Sequence, residues 1–138
     1  LRMRPGAPVG FGLLGEVPWI GLPGNPVSTM VTFELFVRPA IRKLAGRRLP
    51  FRRAVAVRVA DPIKVSPTLQ HFLRAVVTPA VPLPEVRLTG PQGSGILTSM
   101  VKANALLVIP EGHTDLPPGT ELTAILRDDP VHQAEPPF

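Results

Sequence analysis

A chain of 138 residues with 44% hydrophobic residues can bury a core, as one domain or as two small pieces. It has no apolar run approaching the roughly 20 residues of a membrane-spanning helix, and no cysteine, which excludes disulfides, thiolate metal sites and thiol nucleophiles. The formal net charge is +5, but aromatics are only 5% and tyrosine is absent, so a basic surface lacks the stacking platforms of a nucleic-acid binder.

Neither nucleic acid nor a membrane is therefore expected as a partner. No leader peptide is expected from Leu1 onward, and the cysteine-free composition fits a reducing cytoplasm.

In chain order, MRPG (3–6) reads as a tight turn. GFGLL (10–14) and VPWIGL (17–22) follow as two short strands around Gly15-Glu16, a two-residue hairpin signal. GLPGNPVS (21–28) then opens a helix. Gly24 can take a positive φ or let another group approach closely, Asn25 is a good N-cap, Pro26 fits the first helical position and Ser28 falls at N3. Such a start offers unpaired N–H groups and partial positive charge to an anion.

The helix is expected over 26–45 with Gly46 as its stop, and with a kink or split at Pro39. Val27, Met30, Val31, Phe33, Leu35, Phe36 and Val37 are too many apolar residues for one face, so the helix needs cover on most sides. A hairpin cannot supply it, which points to the end of a larger α/β domain.

GRRLPFRR (46–53) marks a change of character, read as a solvated linker at 49–52 rather than a nucleic-acid patch. Beyond it the pattern is all strand: 54–60, 71–77, 85–89, 105–109 and 121–126, bounded by Pro, Gly, Asp and Ser. Short strands at this spacing predict a small barrel or folded ribbon at 53–127. The Pro- and acid-rich tail at 128–138 is expected to fray.

A self-contained acid–base or nucleophilic enzyme is disfavoured. His71, His113 and His132 are scattered, Asp128 and Asp129 would point to opposite faces of a strand, and no P-loop or dinucleotide motif is present. Ser94 sits between glycines but misses the nucleophile-elbow pattern, with no helix expected after it. What remains is equipment for holding an oxyanion: Arg4 at the first turn, the helix mouth at Gly24–Ser28, the GPQGSG loop (90–95) as a backbone nest, and Arg74 as a guanidinium fork.

These residues also carry a resemblance. GLPGNPVSTMVTFELFVRPAIRKLAG, MRPGAPVGFG, HFLRAVV, GPQGSGILTSM and ANALLVIPEG resemble, in order over about residues 1–126, the MoeA and gephyrin E-domain family of molybdopterin molybdenumtransferases. The resemblance implies a fold of α/β plus all-β type. Residues 1–48 would be the C-terminal end of a three-layer α/β molybdopterin-binding domain, and 53–127 a small β-clip-like barrel.

It further implies an enzyme that uses Mg²⁺ to release AMP from adenylylated molybdopterin and to insert molybdate, working as a cytoplasmic homodimer. Carried over by position, Arg4, Pro5, Arg74 and Ser94 would bind molybdate, with Gly6 completing the first turn. Gly24, Asn25, Pro26 and Ser28 would bind the molybdopterin or its phosphate. No catalytic residue and no Mg²⁺ ligand is implied within this chain, the latter being expected upstream, so the chain would bind without catalysing alone. Ala7 stands where the family usually has a second lysine, which gives weight to an alternative, a non-catalytic scaffold or binding module on the same fold.

Overall fold

The computed structural model describes residues 1–93 and 96–138. It begins with β1 (Met3–Arg4), the hairpin β2 (Gly10–Leu14) and β3 (Val17–Gly21), helix α1 (Pro26–Thr32), a π-helical segment (Phe33–Val37) and α2 (Arg38–Leu44). β4 (Phe51–Arg52), β5 (Ala54–Val59), β6 (Ile63–Lys64), β7 (Gln70–Thr78) and β8 (Glu85–Leu88) follow. The chain continues through α3 (Leu97–Lys102), β9 (Ala105–Ile109), β10 (Asp115–Leu116), β11 (Glu121–Leu126) and β12 (His132–Gln133).

Five strands close into a barrel in the order β7-β8-β5-β11-β9, with β9 returning to β7. β5 and β8 are parallel and the other barrel pairs antiparallel. Closure leaves no open edge within the barrel. β1 adds in parallel to the start of β7, pairing Arg4 with His71.

The strand patterns follow from what covers each face. β5 has Val57 and Val59 buried and Ala56 and Arg58 exposed, the alternation of a half-covered strand. β9 is buried throughout. Its Ala105, Leu107 and Ile109 join Leu73, Ala75, Val86 and Ala124 inside the barrel. Leu106 and Val108 face outward into a second core with Phe72, Ile125, Met3 and the helix residues Val27, Val31 and Leu35.

The helix is therefore covered on one side by the barrel wall. Each large apolar side chain so buried contributes about 1.5–3 kcal/mol. The expectation drawn from burial, that cover for this helix points to a larger α/β domain, is corrected on that side, because the barrel supplies it. Met30, Phe33, Ile41 and Leu44 remain exposed.

The chain stays helical across Pro39. The expected split takes the form of a π turn between α1 and α2, in which the Arg38 N–H reaches back to Phe33 O. That wider turn accommodates a residue that has no N–H and whose ring would crowd the preceding turn. Gly46 ends α2 as expected, with φ +76° and the bonds Gly46 N to Lys43 O and Arg47 N to Arg42 O of a Schellman motif.

In the hairpin, the Trp19 ring lies over Gly10, Gly12 and Gly21, where added Cβ atoms would come to 3.1, 2.7 and 3.1 Å from it. That packing is why the two strands are glycine-rich.

Three expectations are corrected. Residues 49–52 are not simply a linker, because β4 pairs with β12. The tail at 128–138 does not fray: β12 anchors it, and the Phe138 ring meets Phe36 and Phe72 edge-on at 5.9 and 5.6 Å. The region after residue 52 is not all strand, since α3 follows the glycine loop.

Candidate functional site

The first turn and the barrel meet at a cavity of about 440 Å³. Arg4 and Pro5 line it from one side and Lys64, Ser66, His71, Arg74, Gln92 and Gly93 from the other. The parallel pairing of β1 with β7 makes this possible, because it sets Arg4 beside His71, three residues before Arg74. Gly6 sits against Thr32 of α1, so the same turn is tied to the helix.

Arg74 is completely buried. Its backbone lies just beyond the last β7–β8 pair, Ala75 with Leu88, where Thr89 N still donates to Arg74 O at 3.1 Å and a side chain supplies the remaining partner. Gln92 Oε1 accepts from Arg74 N at 2.8 Å and Gln92 Nε2 donates to Arg74 O at 3.1 Å. The guanidinium is fixed by Nε to Ser99 Oγ at 3.0 Å and Nη2 to Gly93 O at 3.1 Å. Ser99 in turn donates to Ile96 O at 2.7 Å, so each link is held by the next.

All these partners are neutral. Among the described residues no carboxylate pairs with it, and burial pushes the Arg74 guanidinium below its usual pKa. A buried, uncompensated cation is costly unless an anion completes it.

The rest of the lining agrees. Arg4, Lys64 and Arg74 contribute three cations and the lining contains no Asp or Glu. Among the described residues Lys64 has a single long, exposed ion-pair contact, to Asp115 at 3.9 Å. His71 is buried, with Nε2 2.9 Å from Ser66 O, and so braces the β6–β7 connection.

The structure thus brings Arg4, Pro5 and Arg74 to one cavity. Ser94 lies outside the described residues. Gly24, Asn25, Pro26 and Ser28 do not line this cavity. Asn25 caps α1 as expected, but its Oδ1 takes up the N–H groups of Val27 and Ser28 at 3.2 and 3.4 Å. Thr29 N bonds Asn25 O and Pro26 has no N–H, so the free donors expected at the helix mouth are engaged by the cap itself. Gly24 has no positive φ, and a Cβ there would meet nothing within 4 Å. Open approach is the property left to it.

Lys64, Gln92 and Ser99 were not singled out from the sequence. Gln92 lies inside the quoted glycine loop, but its bracing role depends on where β8 stops. Among the described residues no three His, Asp or Glu side chains come together as a metal site. Nor is any described helix long and apolar enough to cross a membrane.

Comparison with known proteins identifies the fold and the family. The chain is 40% identical over 119 residues to molybdopterin molybdenumtransferase 1 of Mycobacterium tuberculosis, covering 81% of this chain and 28% of that protein. It is 39% identical over 152 residues to gephyrin of Dictyostelium discoideum, covering 91% of this chain and 21% of that protein. The crystal structure of a molybdopterin biosynthesis MoeA protein from Pyrococcus horikoshii superposes with a TM-score of 0.69 at 30% identity, covering 91% of this chain and 31% of that one. The chain thus spans less than a third of the length of these relatives. The family profile described as MoeA C-terminal region (domain IV) matches residues 56–126, the barrel from β5 to β11, and with that match over half its length the chain belongs to the MoeA family.

Proposed function

We propose that this chain is the C-terminal part of a molybdenum cofactor biosynthesis enzyme and that the Arg4–Arg74 cavity receives molybdate. The observation that carries the reading is the completely buried Arg74, which lines the cavity with no carboxylate partner. A tetrahedral dianion would supply the missing counter-charge, and a guanidinium already fixed by Ser99 and Gly93 would pay little entropy to hold it.

In the whole protein the substrate would be adenylylated molybdopterin, with AMP released as molybdate enters. Residues 1–48 would close a larger α/β domain, with the open Gly24 approach facing the pterin's phosphate. Among the described residues no three His, Asp or Glu side chains come together for Mg²⁺, whose ligands would lie upstream. A cytoplasmic homodimer completes the proposal, with this part binding but not catalysing alone. Ala7 favours the second reading, a binding module on the same fold, in which the cavity takes oxyanions without turnover.

The test is calorimetry with sodium molybdate. Arg74→Ala and, as a variant on an exposed residue, Arg4→Ala each remove a charge-assisted contact of about 1.5–3 kcal/mol, roughly ten- to a hundredfold in affinity. Arg58→Ala, on the outer face of β5, should leave binding unchanged. Equal losses for Arg4→Ala and Arg58→Ala would refute the assignment.

A further inference from the structure

The arginine cluster of GRRLPFRR divides in the structure. Arg52 forms a fork to Glu34 at 3.0 and 3.2 Å, and Arg53 pairs with Asp129 at 3.2 Å. Arg47 and Arg48 make no ion pair with any described residue. Together with Lys43 they surround a second cavity of about 360 Å³, floored by Pro39, Pro50 and Phe51. It shares no residue with the Arg4–Arg74 cavity, and its lining contains no Asp or Glu.

The cavity is a built feature rather than a loose basic surface. The Schellman bonds of Gly46 and Arg47 fix the chain as it leaves α2, and Arg42 Nη2 donates to Leu49 O at 3.2 Å, holding the loop that carries both arginines. The opposite wall includes Ala134, placed there by the pairing of β12 with β4. Lys43 lies in the last turn of α2 and complements the helix dipole, but Arg47 and Arg48 lie beyond the helix and are not needed for that.

We propose that this cavity is an anion site for a condensed phosphate, either free or as a diphosphate ester. A single phosphate ester carries roughly −1.5 to −2 charges. Three cations around so small a space match the larger charge of a diphosphate, and the Pro–Phe floor accepts an apolar body attached to it.

Sodium pyrophosphate is titrated into the whole chain by calorimetry in saturating molybdate, which occupies the first cavity. The expected result is one equivalent of salt-sensitive binding, weakened at least about tenfold in Arg47→Ala/Arg48→Ala and unchanged in Arg87→Ala, which removes an exposed, ion-paired arginine. Both altered residues are exposed, so the fold is retained. ADP binding more tightly than pyrophosphate identifies the ester as the natural form, and the reverse order identifies the free ion. Absence of binding in saturating molybdate, or equal binding by the double variant, overturns the site without touching the molybdate assignment.

Discussion

Replacing Gly6 by alanine tests how the first turn, the helix and the candidate site depend on one another. Gly6 has φ +102°, and an added Cβ would come within 2.2 Å of Thr32 Cγ2. The positive φ alone costs a residue with a side chain roughly 1–2 kcal/mol. Thr32 cannot turn aside cheaply. It is fully buried, and its hydroxyl donates to Ser28 O at 2.7 Å while approaching Thr29 O at 3.1 Å. Overpacking against such a neighbour adds about 1–3 kcal/mol.

Two other glycines separate these effects. Gly112 has φ +91° but open space, so Gly112→Ala should show only the backbone cost. Gly24 has neither the positive φ nor a neighbour within 4 Å, so Gly24→Ala should be neutral or stabilising by up to about 1 kcal/mol. Urea titrations of the three variants should therefore rank Gly6→Ala as least stable, by roughly 2–5 kcal/mol below the parent. Because Arg4 and Pro5 line the cavity, molybdate affinity should fall in Gly6→Ala as well. If Gly6→Ala costs no more than Gly112→Ala, the tie between the turn and the helix does not constrain the fold.

Ala7→Lys should tighten molybdate binding and make it more salt-sensitive, since ions screen an added exposed charge over about 8 Å at physiological salt; calorimetry at two salt concentrations checks this, and a flat response would show that Arg4 suffices. The β4–β12 ribbon should loosen in acid. His132 Nε2 lies 2.8 Å from Arg38 Nη2 and Nδ1 lies 2.8 Å from Pro130 O, so the neutral ring accepts from Arg38 and donates to Pro130. Burial first, then Arg42, Arg38 and Arg52, lowers its pKa from 6.5, outweighing the Pro130 bond, which raises it. The neutral form therefore stabilises fully above 6.5, and that contribution is lost as pH falls through the lower folded value. Amide shifts of Arg52 and Gln133 followed with pH should show the loss, and His132→Asn should remove it. The chain should also self-associate in light scattering, because Phe11, Leu13, Leu14 and Val17 of the hairpin are exposed with Met30 and Phe33 of the helix. Phe11→Glu/Leu13→Glu should shift it toward monomer, and a monomeric parent would sink that expectation.

Much of the fold was legible because its signals are local. The Asn25-Pro26 cap and Gly46 bracket the helix, and the strand runs at 54–60, 71–77 and 105–109 stand out by pattern. The two-residue strands β1, β4, β6, β10 and β12 have no pattern of their own; each exists only through its partner. α3 has six residues and is too short for periodicity to show. One long-range fact was nevertheless present in the sequence. ALLVI is apolar at every position, as a strand covered on both faces must be, and the uncovered helix at 26–45 was the element available to cover it.

The candidate site obeys a different logic. Its lining comes from residues 4–5, 62–74 and 88–93, and what distinguishes its arginine is a missing partner rather than a motif. The chain has 15 basic and 10 acidic residues, so some cations must go unpaired, but composition cannot say which. The fold decides. Arg52, Arg53, Arg58 and Arg87 are paired to carboxylates, whereas Arg4, Arg47, Arg48 and Arg74 make no ion pair with a described residue, and each of these four lines a cavity without an acid. For Arg74 the absence carries most meaning, because burial makes an uncompensated charge expensive and Gln92, Ser99 and Gly93 hold it in place nonetheless. On the proposed reading, neutral partners alone leave this charge uncompensated so that an incoming anion can complete it.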